Sequence, residues 1–335
     1  MRGFLATMAA FLLAVGCQDK PQPTQDLAAE QEVFTYTTRP TGETSSELGY
    51  FFDDFDEVPK HRPKTDERIY RYSRGSIVDK KSLDTKRIQG EKALELTLFP
   101  DQWHEKIRGY RAEMVLHGGN PNNDIRWYEF SFMIPEDYEL DEENFGKEVN
   151  IMQLHYVRPK GEEKIINQPT VALLYVEQYG KNILLLRYGV NGEEGNRLEG
   201  QKWHAIALTD EFQKGVWNKM RLQVKWSQKS DGFIAAWLND RPFTGFNGLN
   251  NRVYGANMYN DIPVNLKFGN YRYWKNSKAT KIYYDYLKIA PSFKTLTGFD
   301  ATSERLYGKQ DDYRYLEGKR RVLHDVQLRE NDTLE

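Results

Sequence analysis

The feature that most constrains the fold is an alternation of apolar and polar residues at every second position, in short runs separated by glycine, proline, asparagine and aspartate. A period of two places successive side chains on opposite faces of a β-strand. It is clearest in segments 127–134 and 219–226, and Pro135 ends the first of them. The residues predicted to face the core are Tyr128, Phe130, Phe132 and Ile134 in the first segment and Met220, Leu222, Val224 and Trp226 in the second. The polar residues of the second segment are predicted to face outward, so this strand should be half-buried.

The same pattern predicts a hairpin and a series of further strands. Segment 232–238 is followed by Asn239-Asp240, a pair typical of a tight turn, and then by Arg241-Pro242-Phe243, in which Pro242 favours a sheet edge. Further strands are predicted at 92–99, 148–157, 171–177, 183–188, 265–273 and 281–289. Few stretches show helical periodicity. The sequence therefore predicts an all-β fold, a sandwich or jelly roll of antiparallel sheets.

The N-terminus has the features of an export signal. Residues 1–17 carry one early positive charge and an apolar run too short to span a bilayer. The run ends in Ala14-Val15-Gly16-Cys17, which resembles the lipobox of bacterial lipoproteins, and Cys17 is the only cysteine, so it cannot form an internal disulfide. We expect a diacylated Cys17 and an exported protein anchored by lipid to the bacterial cell envelope, at the outer membrane or cell surface. The alternative is ordinary cleavage that leaves a spare thiol.

The remaining chain divides by composition. Residues 18–46 are rich in Gln, Pro, Thr and Glu and lack apolar periodicity, so they are predicted to form a flexible tether. One β domain is predicted at 47–293, followed by a charged extension at 294–335 to which no role is assigned. The formal net charge of −2 excludes the global positive field on which nucleic-acid binders rely. We expect no nucleic-acid partner, no membrane contact beyond the lipid, and a monomer.

Three short segments place polar side chains on one face of a strand, because residues two apart in a strand project to the same side. The three sets are Arg111 and Glu113, then Gln153 and His155, then Lys267, Gly269 and Tyr271. Gly269 has no side chain and is expected to let a polymer lie close to its strand. Taken singly, each set is better explained by a structural feature: a surface ion pair, a packed or solvated histidine, and a glycine bulge.

Together, these side chains supply what β-elimination at a uronic acid requires. Removal of the C5 proton places negative charge next to the sugar carboxylate, so that carboxylate must be neutralised, and the forked donors of an arginine are suited to this. A base must take the C5 proton and an acid must protonate the departing O4, tasks that His155 and Tyr271 can perform. Lys267 is expected to favour the phenolate of Tyr271.

The segments Arg111-Ala112-Glu113, Gln153-Leu154-His155 and Leu266-Lys267-Phe268-Gly269-Asn270-Tyr271 resemble, in this order, the three signature blocks of jelly-roll polysaccharide lyases. These enzymes include the alginate lyases of the family-seven type, the glucuronan lyases and heparin lyase I, and the similarity extends from about Phe51 to Ile289. The resemblance implies a concanavalin A-like β-jelly-roll sandwich of two antiparallel sheets. It also implies cleavage of an acidic polysaccharide of the glucuronan, ulvan or alginate type by β-elimination, with unsaturated uronate ends as products.

The resemblance further implies a role for each residue. The implied catalytic set is Arg111 and Gln153 at the uronate carboxylate, His155 as neutraliser or base, Tyr271 as acid or as both acid and base, and Lys267 in support. Substrate contacts are predicted for Glu113, Arg272 and Tyr273. The chain departs from the alginate lyases at Val115, where they usually carry a second arginine, and at Arg272-Tyr273, where they carry an Asn-Gln pair. These departures leave the identity of the uronan open.

No cofactor is required for this chemistry. Several sandwiches of this superfamily hold a structural calcium ion between the first and last strands, and here Asp53, Asp54 and Asp285 are the candidate oxygen ligands.

Two other classes of function are compatible with a jelly roll. A lipoprotein that binds glycans without cleaving them would use exposed aromatic residues such as Trp103, Trp203 and Trp274 for sugar stacking. A glycoside hydrolase would need paired carboxylates on one strand face, and no strand shows that spacing.

Overall fold

The computed structural model describes residues 51–56, 70–71, 75–79, 83, 91–105, 109–117, 121–156, 169–178, 180–191, 201–208, 212–242, 252–258 and 263–301. Within these ranges nearly all regular structure is β-strand, and no helix is long and apolar enough to cross a membrane. The predicted signal with Cys17, the predicted tether, the side chain of Trp203 and most of the C-terminal extension lie outside what is described.

Nine of the described strands form one antiparallel sheet, which we call the scaffold sheet. In chain-order numbering its strands are β1 (Phe51–Asp53), β3 (Gly75–Asp79), β4 (Lys92–Leu98), β7 (Ile125–Met133), β12 (Asn218–Lys225), β13 (Phe233–Leu238), β14 (Arg241–Pro242), β15 (Arg252–Tyr254) and β17 (Thr280–Ala290). The strand order is β14-β13-β12-β7-β17-β4-β3, with β1 also paired to β17 and β15 to β13.

Eight further strands form a second antiparallel sheet, which we call the groove sheet. They are β2 (Tyr70–Arg71), β5 (Trp103–His104), β6 (Gly109–His117), β8 (Val149–Tyr156), β9 (Val171–Gln178), β10 (Lys181–Asn191), β11 (Gln201–Leu208) and β16 (Val264–Arg272). The order is β11-β10-β9-β8-β16-β6-β2, with β5 paired to β6, so β16 lies between β8 and β6. Two antiparallel sheets with almost no helix confirm the predicted jelly-roll sandwich.

The main core lies between the two sheets, and the sequence alternation sets its composition. All eight residues predicted to face inward from segments 127–134 and 219–226 belong to this buried core. Each buried apolar side chain of this size stabilises the fold by about 1.5–3 kcal/mol relative to exposure. The prediction of the inward face is confirmed.

The outward face of β12 is also buried, so the prediction of a half-buried strand is wrong. Lys219, Arg221 and Gln223 are only 8%, 4% and 2% exposed. Nε of Arg221 donates to Glu129 Oε2 at 2.7 Å, and Nζ of Lys219 lies 2.6 Å from Asp240 Oδ2. The carboxylate partners offset the burial of the two cations, and Gln223 accepts a hydrogen bond from Arg252.

A short helix, α1 (Phe293–Thr297), covers part of this outer face. Ser292 caps its first turn by accepting a hydrogen bond from the Thr295 backbone N–H. Phe293 meets the ring of Trp127, which in turn stacks on Trp237. The beginning of the charged extension is therefore packed onto the scaffold sheet.

The predicted hairpin is present. Asn239 and Asp240 have φ of 51° and 66° and join β13 to β14. Two successive left-handed residues are the signature of a type I′ turn, for which Asn and Asp are favoured. Pro242 lies on β14, the terminal strand of the scaffold sheet, as predicted.

Two irregularities interrupt the strand register of the groove sheet. Along β8, Asn150 pairs with Leu174 and Met152 with Leu173, so Ile151 is an extra residue relative to β9. Along β16, the register with β8 shifts between Phe268 and Tyr271. Such bulges re-aim side chains and often lie beside functional sites.

Gly269 lies within the β16 shift, and the reason for a glycine there differs from the predicted one. Its φ is 150°, and a Cβ would collide with the Ala112 carbonyl oxygen and lie 2.7 Å from Glu113 Cα. The missing side chain thus makes room for the neighbouring strand β6 rather than for a polymer.

Replacing Gly269 with alanine should lower the free energy of unfolding by about 3 kcal/mol, because a backbone collision adds to an unfavourable φ. Urea denaturation measures this change. Gly298→Ala is the matched control: its φ is 78°, and a Cβ there meets no atom within 4 Å. The control should cost about 1–2 kcal/mol, the penalty for a side chain in the left-handed conformation. Equal losses for the two variants would contradict the steric explanation.

Candidate active site

The groove sheet brings five of the predicted residues together along the central strand β16. On one side, Arg111 of β6 pairs with Tyr271 and Glu113 pairs with Gly269. On the other side, Gln153 of β8 pairs with Lys267. Cross-strand partners project to the same face and approach each other closely. Three segments that are distant in sequence therefore form one continuous polar row.

Glu113 is the buried centre of this row. It is 2% exposed, its Oε2 lies 2.8 Å from Arg111 Nε, and its Oε1 accepts a hydrogen bond of 2.6 Å from Gln153 Nε2. With both oxygens engaged below the surface, the predicted substrate contact of Glu113 is not supported. Its observed position is that of a residue that orients Arg111 and Gln153.

Arg111 and Tyr271 form a stacked pair. The guanidinium carbon of Arg111 lies 4.5 Å from the centroid of the Tyr271 ring. The Arg111 side chain is 13% exposed, and its ion pair with Glu113 engages Nε and not the terminal nitrogens. These nitrogens are therefore available to a carboxylate from solvent, while Glu113 holds the Nε side.

The hydroxyl of Tyr271 stays protonated and can therefore donate a proton. Burial raises the pKa of Tyr271 well above its ordinary value, the neighbouring Tyr273 adds to this, and Arg111 opposes it. Lys267 is absent from these causes, so the predicted phenolate is not favoured. The exposed Tyr273, whose ring centroid lies 4.9 Å from that of Tyr271, flanks the row on its solvent side, and its predicted substrate contact stays a prediction.

Lys267 is the second cationic side chain of the row. The pKa of Lys267 is lowered to about 8, mainly by burial; the Glu113 carboxylate opposes this shift and the Arg111 charge contributes to it. Lys267 is therefore mainly cationic at neutral pH. Burial makes this charge unfavourable in the absence of a substrate anion.

His155 occupies the far end of the row and is not brought next to Tyr271. It pairs with Asn265, and Tyr271 lies six residues further along β16. At the rise of an extended strand, this spacing corresponds to about 20 Å between the backbones. Nδ1 of His155 donates to the Tyr156 carbonyl oxygen at 2.7 Å, which places the lone pair of the neutral ring on Nε2. A direct acid–base partnership of His155 with Tyr271 is not supported.

A different histidine, His104, lies at the Tyr271 end. Its cross-strand partner is Gly109 of β6. A Cβ on Gly109 would be 2.7 Å from Tyr271 Cε2 and 3.3 Å from Tyr271 Oη, so the tyrosine ring lies over this glycine toward β5. Cross-strand Cβ atoms are about 5 Å apart, which brings the imidazole of His104 within reach of the same sugar as Tyr271. His104 Nδ1 is buried and has no hydrogen-bond partner among the described residues.

Asn150 is a second residue that the sequence did not point to. It pairs with Tyr271 from the β8 side, is 5% exposed, and its buried Oδ1 has no partner among the described residues. The extra residue Ile151 reverses the alternation of β8. As a result, Asn150 and Gln153 share the face that points away from the core, although they are three positions apart.

A match to a protein-family model shows which family the chain belongs to. Residues 70–288, more than half of the chain, match the family model described as polysaccharide lyase. The chain belongs to the polysaccharide lyase family. It is therefore a polysaccharide-cleaving carbon–oxygen lyase, and the predicted membership of a jelly-roll lyase group is confirmed.

A solved structure agrees with the fold of this lyase. An endo-β-1,4-glucuronan lyase from the fungus Trichoderma reesei is similar with a TM-score of 0.50 and 18% identity, over 75% of this chain and 99% of that one. The alginate lyase AlyC3 has a TM-score of 0.40 and 13% identity, over 59% and 74% of the chains. The globular domain of Trypanosoma cruzi calreticulin has a TM-score of 0.44 and 11% identity, over 83% and 99%. No curated protein matches the sequence.

In the lyase, Arg272 does not line the groove, and its predicted substrate contact is not supported. Its side chain is fully buried on the core side of β16, where Nη1 donates to Thr280 Oγ1 at 2.8 Å. The guanidinium also lies 5.3 Å from the ring centroid of Trp274. Of the tryptophans considered for sugar stacking, Trp274 is half-buried against the core, whereas Trp103 is 40% exposed.

The expected calcium site of the lyase stays a prediction. No group of three or more His, Cys, Asp or Glu side chains that could hold a metal ion occurs in the described ranges. Asp285 is buried on β17, while Asp53 Oδ1 and Asp54 Oδ1 accept backbone hydrogen bonds from Phe55 and Asp56. No step below depends on calcium.

Proposed function

We propose that this lyase cleaves a weakly sulfated or unsulfated uronan, of the glucuronan, ulvan or alginate type, by β-elimination. The observation that carries the proposal is the Arg111 guanidinium, which is held at Nε by the buried Glu113, stacked on Tyr271 and partly exposed. This arrangement holds one carboxylate beside one proton donor. A uronic acid is the sugar that presents a carboxylate next to the carbon to be deprotonated.

The carboxylate of the sugar pairs with Arg111, and Gln153 supplies a neutral donor beside it. Charge develops on this carboxylate as the C5–H bond breaks, so donors fixed in advance stabilise the intermediate more than the bound substrate. The C4–C5 double bond then forms as the C4–O4 bond breaks. Tyr271, kept protonated by burial, gives its proton to the departing O4.

The base that takes the C5 proton is His104. It flanks Tyr271 across Gly109, so acid and base meet at one sugar, whereas His155 lies about 20 Å along the strand by register. His155, Lys267 and Tyr273 bind neighbouring sugars of the polymer. The position of Lys267, between the two ends of the row, suits a second uronate.

The mechanism predicts different kinetic effects for the replacement of the two histidines. Replacing His104 with alanine should lower kcat by about 10²–10⁴-fold, as loss of a general base does. Replacing His155 with alanine should mainly raise KM and lower kcat by less than about tenfold. Initial rates of formation of the conjugated alkene, measured over a range of polymer concentrations, separate the two constants. The reverse ranking would assign the base to His155 and overturn this mechanism.

Export and lipid attachment at Cys17 complete the proposal. They rest on residues 1–17 alone and would place the enzyme on the cell envelope, where a polymer too large to enter the cell is accessible.

A further inference from the structure

Tyr284 reaches from the scaffold sheet across the core to the groove sheet. It lies on β17, is 1% exposed, and its ring meets the ring of Phe268 at 5.1 Å between centroids. Its hydroxyl lies 2.6 Å from the Ile151 carbonyl oxygen and 3.0 Å from the Gly269 carbonyl oxygen. One side chain of the opposite sheet therefore touches two adjacent strands beneath the polar row.

Both carbonyl groups belong to residues within the register shifts of the groove sheet. Ile151 is the extra residue of β8, and Gly269 lies inside the shift of β16 against β8. A bulge takes backbone groups out of the regular ladder, and a buried carbonyl without a donor is unfavourable. Tyr284 supplies the donor to both, shared through a single proton.

The two bulges determine which side chains reach the groove. Without the extra residue at Ile151, Asn150 would face the core instead of sharing a surface with Gln153. The shift at Gly269 sets where Tyr271 stands relative to Asn150, its partner on β8. The backbone conformation under the proton donor thus depends on a contact made from the other sheet.

The hydroxyl is available as a donor at all relevant pH values. Burial raises the pKa of Tyr284 well above its ordinary value, so the group stays protonated. Its immediate surroundings are aromatic, since Phe130 and Phe268 both lie against its ring. A hydroxyl in an apolar core is retained where it makes a needed hydrogen bond, and here the two carbonyls account for it.

We propose that Tyr284 is a positioning residue for the elimination: through the Ile151 and Gly269 carbonyls it locks both bulges and so fixes Tyr271, Asn150 and Gln153 for reaction. The inference rests on the proposed function for its effect on rate. Its effect on the backbone is independent of that function.

The test compares Tyr284→Phe with Tyr286→Phe. Tyr286 is on the same strand, and its buried hydroxyl also makes a hydrogen bond, to Glu129 Oε1 on the outer face. Both variants keep their rings and are expected to fold, which near-ultraviolet circular dichroism and Tm verify, and kcat is referred to the folded fraction. Hydrogen exchange followed by mass spectrometry reports on peptides that cover 149–156 and 264–272.

We expect the kcat of Y284F to fall about tenfold, with KM within twofold of the original value. The amides of the two peptides should exchange about tenfold faster in Y284F. Y286F should leave both kcat and the exchange of these peptides unchanged. A kcat of Y284F within twofold of that of Y286F, or equal exchange in the two variants, overturns the inference. If the unmodified enzyme forms no unsaturated product, the proposed function fails, and the exchange comparison alone decides whether Tyr284 holds the bulges.

Discussion

Replacing Tyr271 with phenylalanine is expected to lower kcat by about 10³-fold, because the variant has no proton to give to the departing O4. The ring remains, so the stacking with Arg111 and the packing over Gly109 are kept. KM should therefore change by less than about threefold. Initial rates from the absorbance of the unsaturated product give both constants, and Tm reports on the fold.

The matched control for this variant is Tyr254→Phe. Tyr254 is 52% exposed on β15, at the far side of the scaffold sheet, and should leave kcat unchanged. A Y271F enzyme that keeps more than about a tenth of the original kcat would remove Tyr271 from proton transfer and leave it a binding role.

Replacing Arg111 with lysine should lower kcat/KM by about 10²–10³-fold, although the charge is conserved. Lysine lacks the Nε that faces Glu113 and the fork that binds a carboxylate through two parallel hydrogen bonds. Loss of a fixed donor to a developing charge costs this much in other enzymes. The same absorbance assay at low substrate concentration measures kcat/KM directly.

Arg252→Lys is the control for this second substitution. Arg252 also stacks on an aromatic ring, with its guanidinium carbon 4.1 Å from the Phe233 centroid, and it donates to Gln223. It lies on the scaffold sheet, so R252K should retain kcat/KM within about twofold. Comparable losses in the two variants would mean that R111K acts through general destabilisation and not through the carboxylate.

The sequence alone was sufficient to predict the face of a strand on which a side chain lies wherever apolar and polar residues alternate strictly. The inward faces of β7 and β12 and the shared faces of Arg111 with Glu113 and of Lys267 with Tyr271 follow from the period of two. The order of three short segments was enough to indicate the lyase family, since each segment brings groups that one reaction needs. Alternation fixes which side of a strand a residue faces.

Alternation does not fix how deep a residue lies. Glu113 was predicted on the correct face, but its depth was not predicted, because the neighbouring Arg111 and Gln153 enclose its carboxylate. Arg272 is buried for a similar reason, since its partner Thr280 belongs to the other sheet. Such partners come from distant strands, and a single sequence does not show which strands meet.

Bulges and short strands account for the residues that were missed. Asn150 appears in the sequence as a core-facing position, and only the extra residue Ile151 turns it to the groove. His104 belongs to a strand of two residues, too short for any periodicity to be seen. A signal for the first was present in the run Val149-Asn150-Ile151-Met152, where two consecutive apolar residues interrupt the alternation before Gln153.

The most direct test of the account is to follow the proton at C5 with a uronan that carries deuterium at that position. We predict that deuterium is lost from C5 as fast as the C4–C5 double bond forms, with one unsaturated end per new reducing end, and that Y271F slows both processes together. Cleavage that keeps deuterium at C5 and forms no double bond would contradict the account.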